Sequence, residues 1–100
     1  MGGEFILNNI LLHDKYEKEF FKSKSPNSLK YLIENGRELE FTINNHSSFI
    51  SKNSSEKYCS LWVDNIEQGF CSVSELIKNA EIDGELLLNL LDKIEIITIF

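Results

Sequence analysis

Residues 38–44 read Glu38-Leu39-Glu40-Phe41-Thr42-Ile43-Asn44, and polar and apolar side chains alternate without a break. A strand turns successive side chains to opposite faces. Leu39, Phe41 and Ile43 therefore point one way, and Glu38, Glu40, Thr42 and Asn44 the other. One apolar side and one wet side mark an antiparallel sheet packed on a single face, because parallel strands are buried on both. The flanking sequence extends this sheet. Asn44–Ser48 reads as a turn, Phe49-Ile50 as a short strand and Ser51–Glu56 as a polar loop. Residues 57–64 put Cys59, Leu61 and Val63 on one face and Tyr58, Ser60 and Trp62 on the other; bulk on both sides predicts an interior strand. With residues 65–68 as a loop, residues 57–64 and 69–74 pair as a hairpin in which position 63 faces 70 and Cys59 faces Ser74. Cys59 and Cys71 then lie on different faces as two free thiols, which suits a reducing compartment.

Helix signals surround this core. Ser25-Pro26 supplies an N-cap and a proline at the first helical position. Leu29, Leu32 and Ile33 follow at helical spacing, and Asn35-Gly36 ends the run, so residues 26–35 are a short helix. Upstream, Asp14 and Glu17 form a capping box that opens a helix with Tyr16, Phe20 and Phe21 on one face. Residues 4–12, apolar around Asn8-Asn9, read as a buried strand. Ser72-Val73-Ser74-Glu75 is a second capping box, which places a helix at 73–80. Residues 84–92 read as a helix after Asp83, with Leu86, Leu87, Leu88, Leu90 and Leu91 apolar nearly all round, as in a buried or interface helix. Ile94–Phe100 is a strand that must pair, since such an edge aggregates when exposed.

The expected fold is α+β: one domain over residues 1–100, with an antiparallel sheet of four to five strands and two to four short helices. A chain of 100 residues buries roughly 60–65% of its unfolded surface, so neither a disulfide nor a metal is required, and no cofactor is expected. No apolar run reaches the roughly 18 residues of a membrane span. Met1-Gly2-Gly3-Glu4 has neither the basic region nor the cleavage site of a signal peptide, so the expected location is cytoplasmic.

The charge distribution points to a kind of partner. Net charge is −6. Residues 1–60 hold eight acids and eight bases and sum to zero. Residues 61–100 hold Asp64, Glu67, Glu75, Glu81, Asp83, Glu85, Asp92 and Glu95 against Lys78 and Lys93 alone, so the whole net charge sits there. Such a field repels nucleic acid and anionic membranes and draws in a basic protein. Arg37 is the one arginine, so no guanidinium cluster can hold phosphates. The expected contact residues are the carboxylates Asp64, Glu67, Glu75, Glu81, Asp83 and Glu85, with Trp62, Tyr58 and Phe70 as aromatic anchors.

Motifs for catalysis are sparse. Asn79–Gly84 matches the first half of a calcium loop, but position 12 is Leu90 where the bidentate carboxylate belongs. No glycine-rich phosphate loop and no nucleophile elbow occurs, and Cys59 or Cys71 with His13 or His46 forms no local pattern, so a non-enzyme is expected. Glu81-Ile82-Asp83-Gly84-Glu85-Leu86-Leu87-Leu88-Asn89-Leu90 resembles the central motif of sterile alpha motif domains, which implies an all-helical interaction module. Without that resemblance, Asp83 caps the Leu-rich helix and Gly84 helps the chain enter it. In size and charge character the chain resembles the small acidic immunity proteins of bacterial toxin–immunity pairs. That resemblance implies a monomer or weak homodimer that occludes the active site of a basic toxin nuclease without catalysis. The alternative is a small acidic secretion chaperone, dimeric through the Leu86–Leu91 helix and the Ile94–Phe100 strand.

Overall fold

Three two-residue turns organise the chain. Asn44-Asn45, Asp64-Asn65 and Asp83-Gly84 all hold both residues at positive φ, between 48° and 79°. That is the type I′ turn, whose twist matches the right-handed twist of paired strands and which favours Asn, Asp and Gly. The computed structural model describes residues 15–53 and 58–100. Within them, the first turn joins β1 (Leu39–Ile43) to β2 (His46–Asn53), and the second joins β3 (Tyr58–Val63) to β4 (Ile66–Phe70). The third joins β5 (Glu81–Ile82) to β6 (Glu85–Leu86). With β7 (Glu95–Ile99), the main sheet runs β4-β3-β2-β1-β7, antiparallel throughout, and β5-β6 forms a separate two-stranded ribbon. The expected α+β architecture is present.

Two expectations about this sheet need correction. The turn after β1 is two residues rather than five, and β2 runs on to Asn53 through residues expected to be loop. β1 pairs with β2 only as far as Ile50, and pairing with β3, from Ser51 opposite Ser60 to Asn53 opposite Tyr58, carries the strand on despite its polar composition. The β3–β4 connection is Asp64-Asn65, not residues 65–68, so Cys59 faces Phe70 rather than Ser74. Both thiols are nonetheless free, Cys59 buried and Cys71 exposed.

Helices cover one side of the sheet. Among the described residues these are α1 (residues 15–23), α2 (Pro26–Glu34), α3 (Val73–Asn79) and α4 (Leu87–Leu90), the last running into a 3-10 turn, Leu91–Lys93. Capping follows the sequence signals. The Ser25 hydroxyl accepts from the Ser28 N–H, and Ser72 accepts from the Glu75 N–H at 3.1 Å. After α2, Gly36 at φ 83° donates to the Ile33 carbonyl, and Arg37 donates to that of Leu32 at 3.0 Å. These paired bonds are a Schellman motif, which uses the carbonyls a helix leaves unpaired at its end.

The core lies between the two layers. Leu39, Phe41, Ile43, Ile50, Cys59 and Leu61 meet Phe20, Leu29, Leu32, Ile33, Val73, Leu76 and Leu90, all buried. Tyr16 stacks on Tyr31 at 3.9 Å and ties α1 to α2. The stripe expected on α1 is narrower than Tyr16, Phe20 and Phe21: Phe20 is fully buried and Phe21 is 48% exposed. The expected strand at 4–12 and the Asp14 capping box lie outside the described residues.

The long helix expected at 84–92 is also corrected. Asp83 does not cap it; at φ 55° it forms a hairpin turn with Gly84, and only one helical turn follows β6. Leu87, Leu90 and Leu91 are buried, whereas Leu86 and Leu88 are exposed. The five-stranded sheet departs from the all-helical architecture that the Ile-Asp-Gly resemblance implies. Because L-residues with a branched Cβ resist the left-handed region, Asn45→Val is expected to cost about 1–2 kcal/mol. Asn45→Gly keeps the turn geometry and stability; paired thermal melts check both outcomes.

Candidate functional site

The outer face of the sheet, opposite the helices, is set by the strand register. In one row across it, Glu40 stands opposite Phe49, Phe49 opposite Trp62, and Trp62 opposite Glu67. Directly opposed side chains lie about 5 Å apart, so the row reads acid, aromatic, aromatic, acid at contact spacing. Phe100 extends the aromatic surface, meeting Phe49 edge-on at 6.0 Å. Tyr58 lies across Gly69, where a Cβ would fall 1.6 Å from the Tyr58 hydroxyl oxygen, so the bare glycine is what lets the ring lie flat. The Ser60 hydroxyl donates to Glu67 and holds that carboxylate against the sheet. Trp62 is 37% exposed. A groove of about 510 Å³ lies between Glu40, Phe49 and Trp62, with Ser47, Ser48 and Asn65 completing its walls.

The strand positions of this face carry charge of one sign. Its outward strand positions carry Glu40, Glu67 and Glu95, and among the described residues no Lys or Arg. Lys52 belongs to the helical side, where its ammonium donates to the Glu34 carbonyl at 3.4 Å. Arg37 pairs with Glu17 of α1 at 3.2 Å and donates to the carbonyls of Ile99 and Phe100. Lys93 lines a neighbouring hollow with Glu95 and Thr42, which leaves Glu40 and Glu67 as the carboxylates flanking the aromatic pair.

At one end of the sheet the three turns converge on His46. Its Nδ1 meets Asp64, and its Nε2 meets the Asp83 carboxylate at 2.9 and 3.0 Å. Asp64 also accepts from the Ser47 N–H at 3.0 Å, and Asp83 from the Asn44 side-chain amide at 3.5 Å. Both ring nitrogens donate only in the imidazolium form. The hydrogen bonds to Asp64 and then Asp83 accordingly raise the His46 pKa above its ordinary 6.5. The His46 bond and the Ser47 N–H lower that of Asp64 below 3.8. His46 thus clamps three hairpins rather than standing as an open base.

The clamp gives a pH dependence with a definite sign. A raised histidine pKa means its stabilisation is complete below 6.5 and fades as pH rises through the folded-state value. A lowered Asp64 pKa means its contribution is complete above 3.8 and fades as pH falls through the folded-state value. The clamp is therefore fully formed between 3.8 and 6.5. Thermal midpoints of the wild type are expected to fall more steeply above 6.5 than those of His46→Gln, and proton NMR of the ring reads the titration itself.

The expected contact residues separate into groups. Trp62, Tyr58 and Glu67 share the outer face. Asp64 and Asp83 come together, but on His46. Glu75 sits in the first turn of α3, in the helical layer on the far side of the sheet from Glu67. Glu81 and Glu85 are exposed on the β5–β6 ribbon, which the Gln68 side-chain amide fastens to β4 by bonds of 2.7 and 3.0 Å to the Glu81 backbone. Phe70 is half-buried against the core and is not an outward anchor. The six carboxylates therefore do not form one patch. Sequence reasoning missed Phe49 and Phe100 as members of the aromatic surface. The Asn44-Asn45 and Asp64-Asn65 dipeptides were the available signal, because a two-residue turn sets which side Phe49 faces.

The cysteines stand apart from this face. Burial pushes the Cys59 thiol above its ordinary 9.0, which disfavours the reactive thiolate. Cys59 pairs with Lys52, six residues along β2 from His46, so the two side chains are roughly 20 Å apart and form no dyad. His13 lies outside the described residues. Among the described residues no cluster of three or more His, Cys, Asp or Glu can hold a metal, and no helix is long and apolar enough to cross a membrane. Compared with protein-family models, curated proteins and solved structures, the chain finds no match.

Proposed function

We propose that this chain is a non-catalytic binding protein that covers a basic protein partner with the outer face of its sheet, acting in the cytoplasm as an immunity-type neutraliser of a toxin nuclease. The observation that carries the reading is the row Glu40, Phe49, Trp62, Glu67, on a face whose outward strand positions hold no Lys or Arg among the described residues. Aromatic anchors between carboxylates give a patch both the apolar area of a hot spot and a field that selects cations. Glu40 and Glu67 would stand where a nuclease expects substrate phosphates. Glu75, Glu81 and Glu85 add to the long-range field that steers a cationic partner without touching it. Asp64 and Asp83 serve the fold through His46 and are not contacts in this reading.

The test is genetic and biophysical together. The protein co-purifying with this chain from its native cells should be basic and toxic when expressed alone, and co-expression of this chain should restore growth. Association should slow steeply with added salt, because screening removes the steering field. Protection that survives the double change Glu40→Lys and Glu67→Lys, in a variant shown to be folded, refutes the outer face as the contact surface.

A second reading has its own observation. Ile97 on β7 is 56% exposed, and Leu86 and Leu88 are exposed beside β5–β6, separate apolar sites of the kind a dimeric secretion chaperone buries. Native mass separates the two readings, since the chaperone requires a stable dimer.

A further inference from the structure

We propose that the groove between Glu40, Phe49 and Trp62 is an arginine slot, which receives a guanidinium group of the partner in preference to a lysine ammonium. The inference rests on the basic-partner reading and names the chemistry that the face recognises. A guanidinium is planar, weakly hydrated and able to stack on an aromatic face while its edge forks onto a carboxylate. An ammonium is a compact, strongly hydrated charge that gains less from a flat wall. The groove offers what the planar cation uses. Phe49 and Trp62, directly opposed across β2 and β3, supply two neighbouring rings, and Glu40, opposite Phe49, supplies a carboxylate at their edge.

The remaining walls are polar. Ser47 and Asn65 stand at the turn end of the groove, where their side-chain and backbone oxygens can take up further N–H groups of the fork, while Ser48, whose side chain is buried on the core side of β2, offers backbone alone. Glu67 lies on the other side of Trp62 and already accepts from Ser60, so it adds negative potential while Glu40 makes the direct bond. Phe100 meets Phe49 edge-on and is not among the residues that line the groove. The volume of about 510 Å³ exceeds one side chain and admits the arginine stem with part of the partner backbone. Cation–π contact with Trp is the strongest of the aromatic series.

Trp62 is the one tryptophan in the chain, so its fluorescence reports occupancy of the slot directly. The probes are two glycine-spaced peptides of equal length and charge, one bearing arginines and the other lysines, titrated into the full chain and into its Glu40→Gln variant. The expected result is a change in Trp62 emission with the arginine peptide, and affinity about fivefold or more above that for the lysine peptide. Glu40→Gln should weaken the arginine peptide by about tenfold and erase the preference. Equal binding of the two peptides to the wild type overturns the slot without recourse to any variant, as does a preference that persists in folded Glu40→Gln. A silent Trp62 with both peptides overturns it too. The basic-partner reading is judged apart from these titrations, by growth protection, so the slot can fail while that reading stands.

Discussion

Phe20→Ala is expected to lose about 3–5 kcal/mol of folding stability, while Phe21→Ala, one residue along α1, loses less than about 1 kcal/mol. The two side chains are chemically identical and adjacent, and differ only in where the helix turns them. Successive residues of a helix point about 100° apart. Phe20 is fully buried in the cluster that joins α1 to α2 and the sheet, and Phe21 is 48% exposed. Truncating Phe20 removes buried apolar surface and leaves a cavity that the close-packed core only partly refills. A domain of this size has roughly 5–15 kcal/mol in total, so the loss is a large share of it. Urea denaturation followed by far-UV circular dichroism measures both variants, and equal losses would mean that α1 presents a different stripe to the core.

The second large effect is on binding. Trp62→Ala is expected to weaken association with the proposed basic partner by at least about 30-fold, which is about 2 kcal/mol, because a central aromatic at such a face carries hot-spot energy. Its cost in stability is smaller, about 0.5–1.5 kcal/mol for the lost cross-strand pair with Phe49. Phe70→Ala should behave in the opposite way. Phe70 packs against the core from the helical side of β4, so its truncation lowers stability by about 1–3 kcal/mol and leaves the affinity of the folded fraction unchanged. Calorimetric titration of the two variants against the same partner distinguishes a binding face from a packing face. Unchanged affinity in Trp62→Ala would exclude the outer sheet surface as the contact.

The elements that were legible in advance are those whose signals are local. The alternation of Glu38–Asn44, the Ser25-Pro26 start and Asn35-Gly36 stop of α2, and the Ser72–Glu75 capping box each involve residues within about one turn or one strand, so short-range geometry decides them. The Leu-rich stretch after Asp83 was misleading because two local signals compete there. Asp83-Gly84 favours a type I′ hairpin and the leucines favour a helix, and docking of the β5–β6 ribbon on Gln68 settles the contest.

By itself, then, the amino-acid sequence determined the α+β class, the positions of α2 and α3, and the concentration of net negative charge in residues 61–100. Only the tertiary structure decided which carboxylates face outward. Register shifted by one residue moves every side chain of a strand to the other face, and here the turns at Asn44-Asn45 and Asp64-Asn65 fix the parity that aligns Glu40, Phe49, Trp62 and Glu67. The clamp at His46 is equally nonlocal, joining residues 18 and 37 positions away in the chain. No local pattern encodes such a meeting. It arises because three hairpins end at the same edge of the fold, where one imidazolium can satisfy two carboxylates at once.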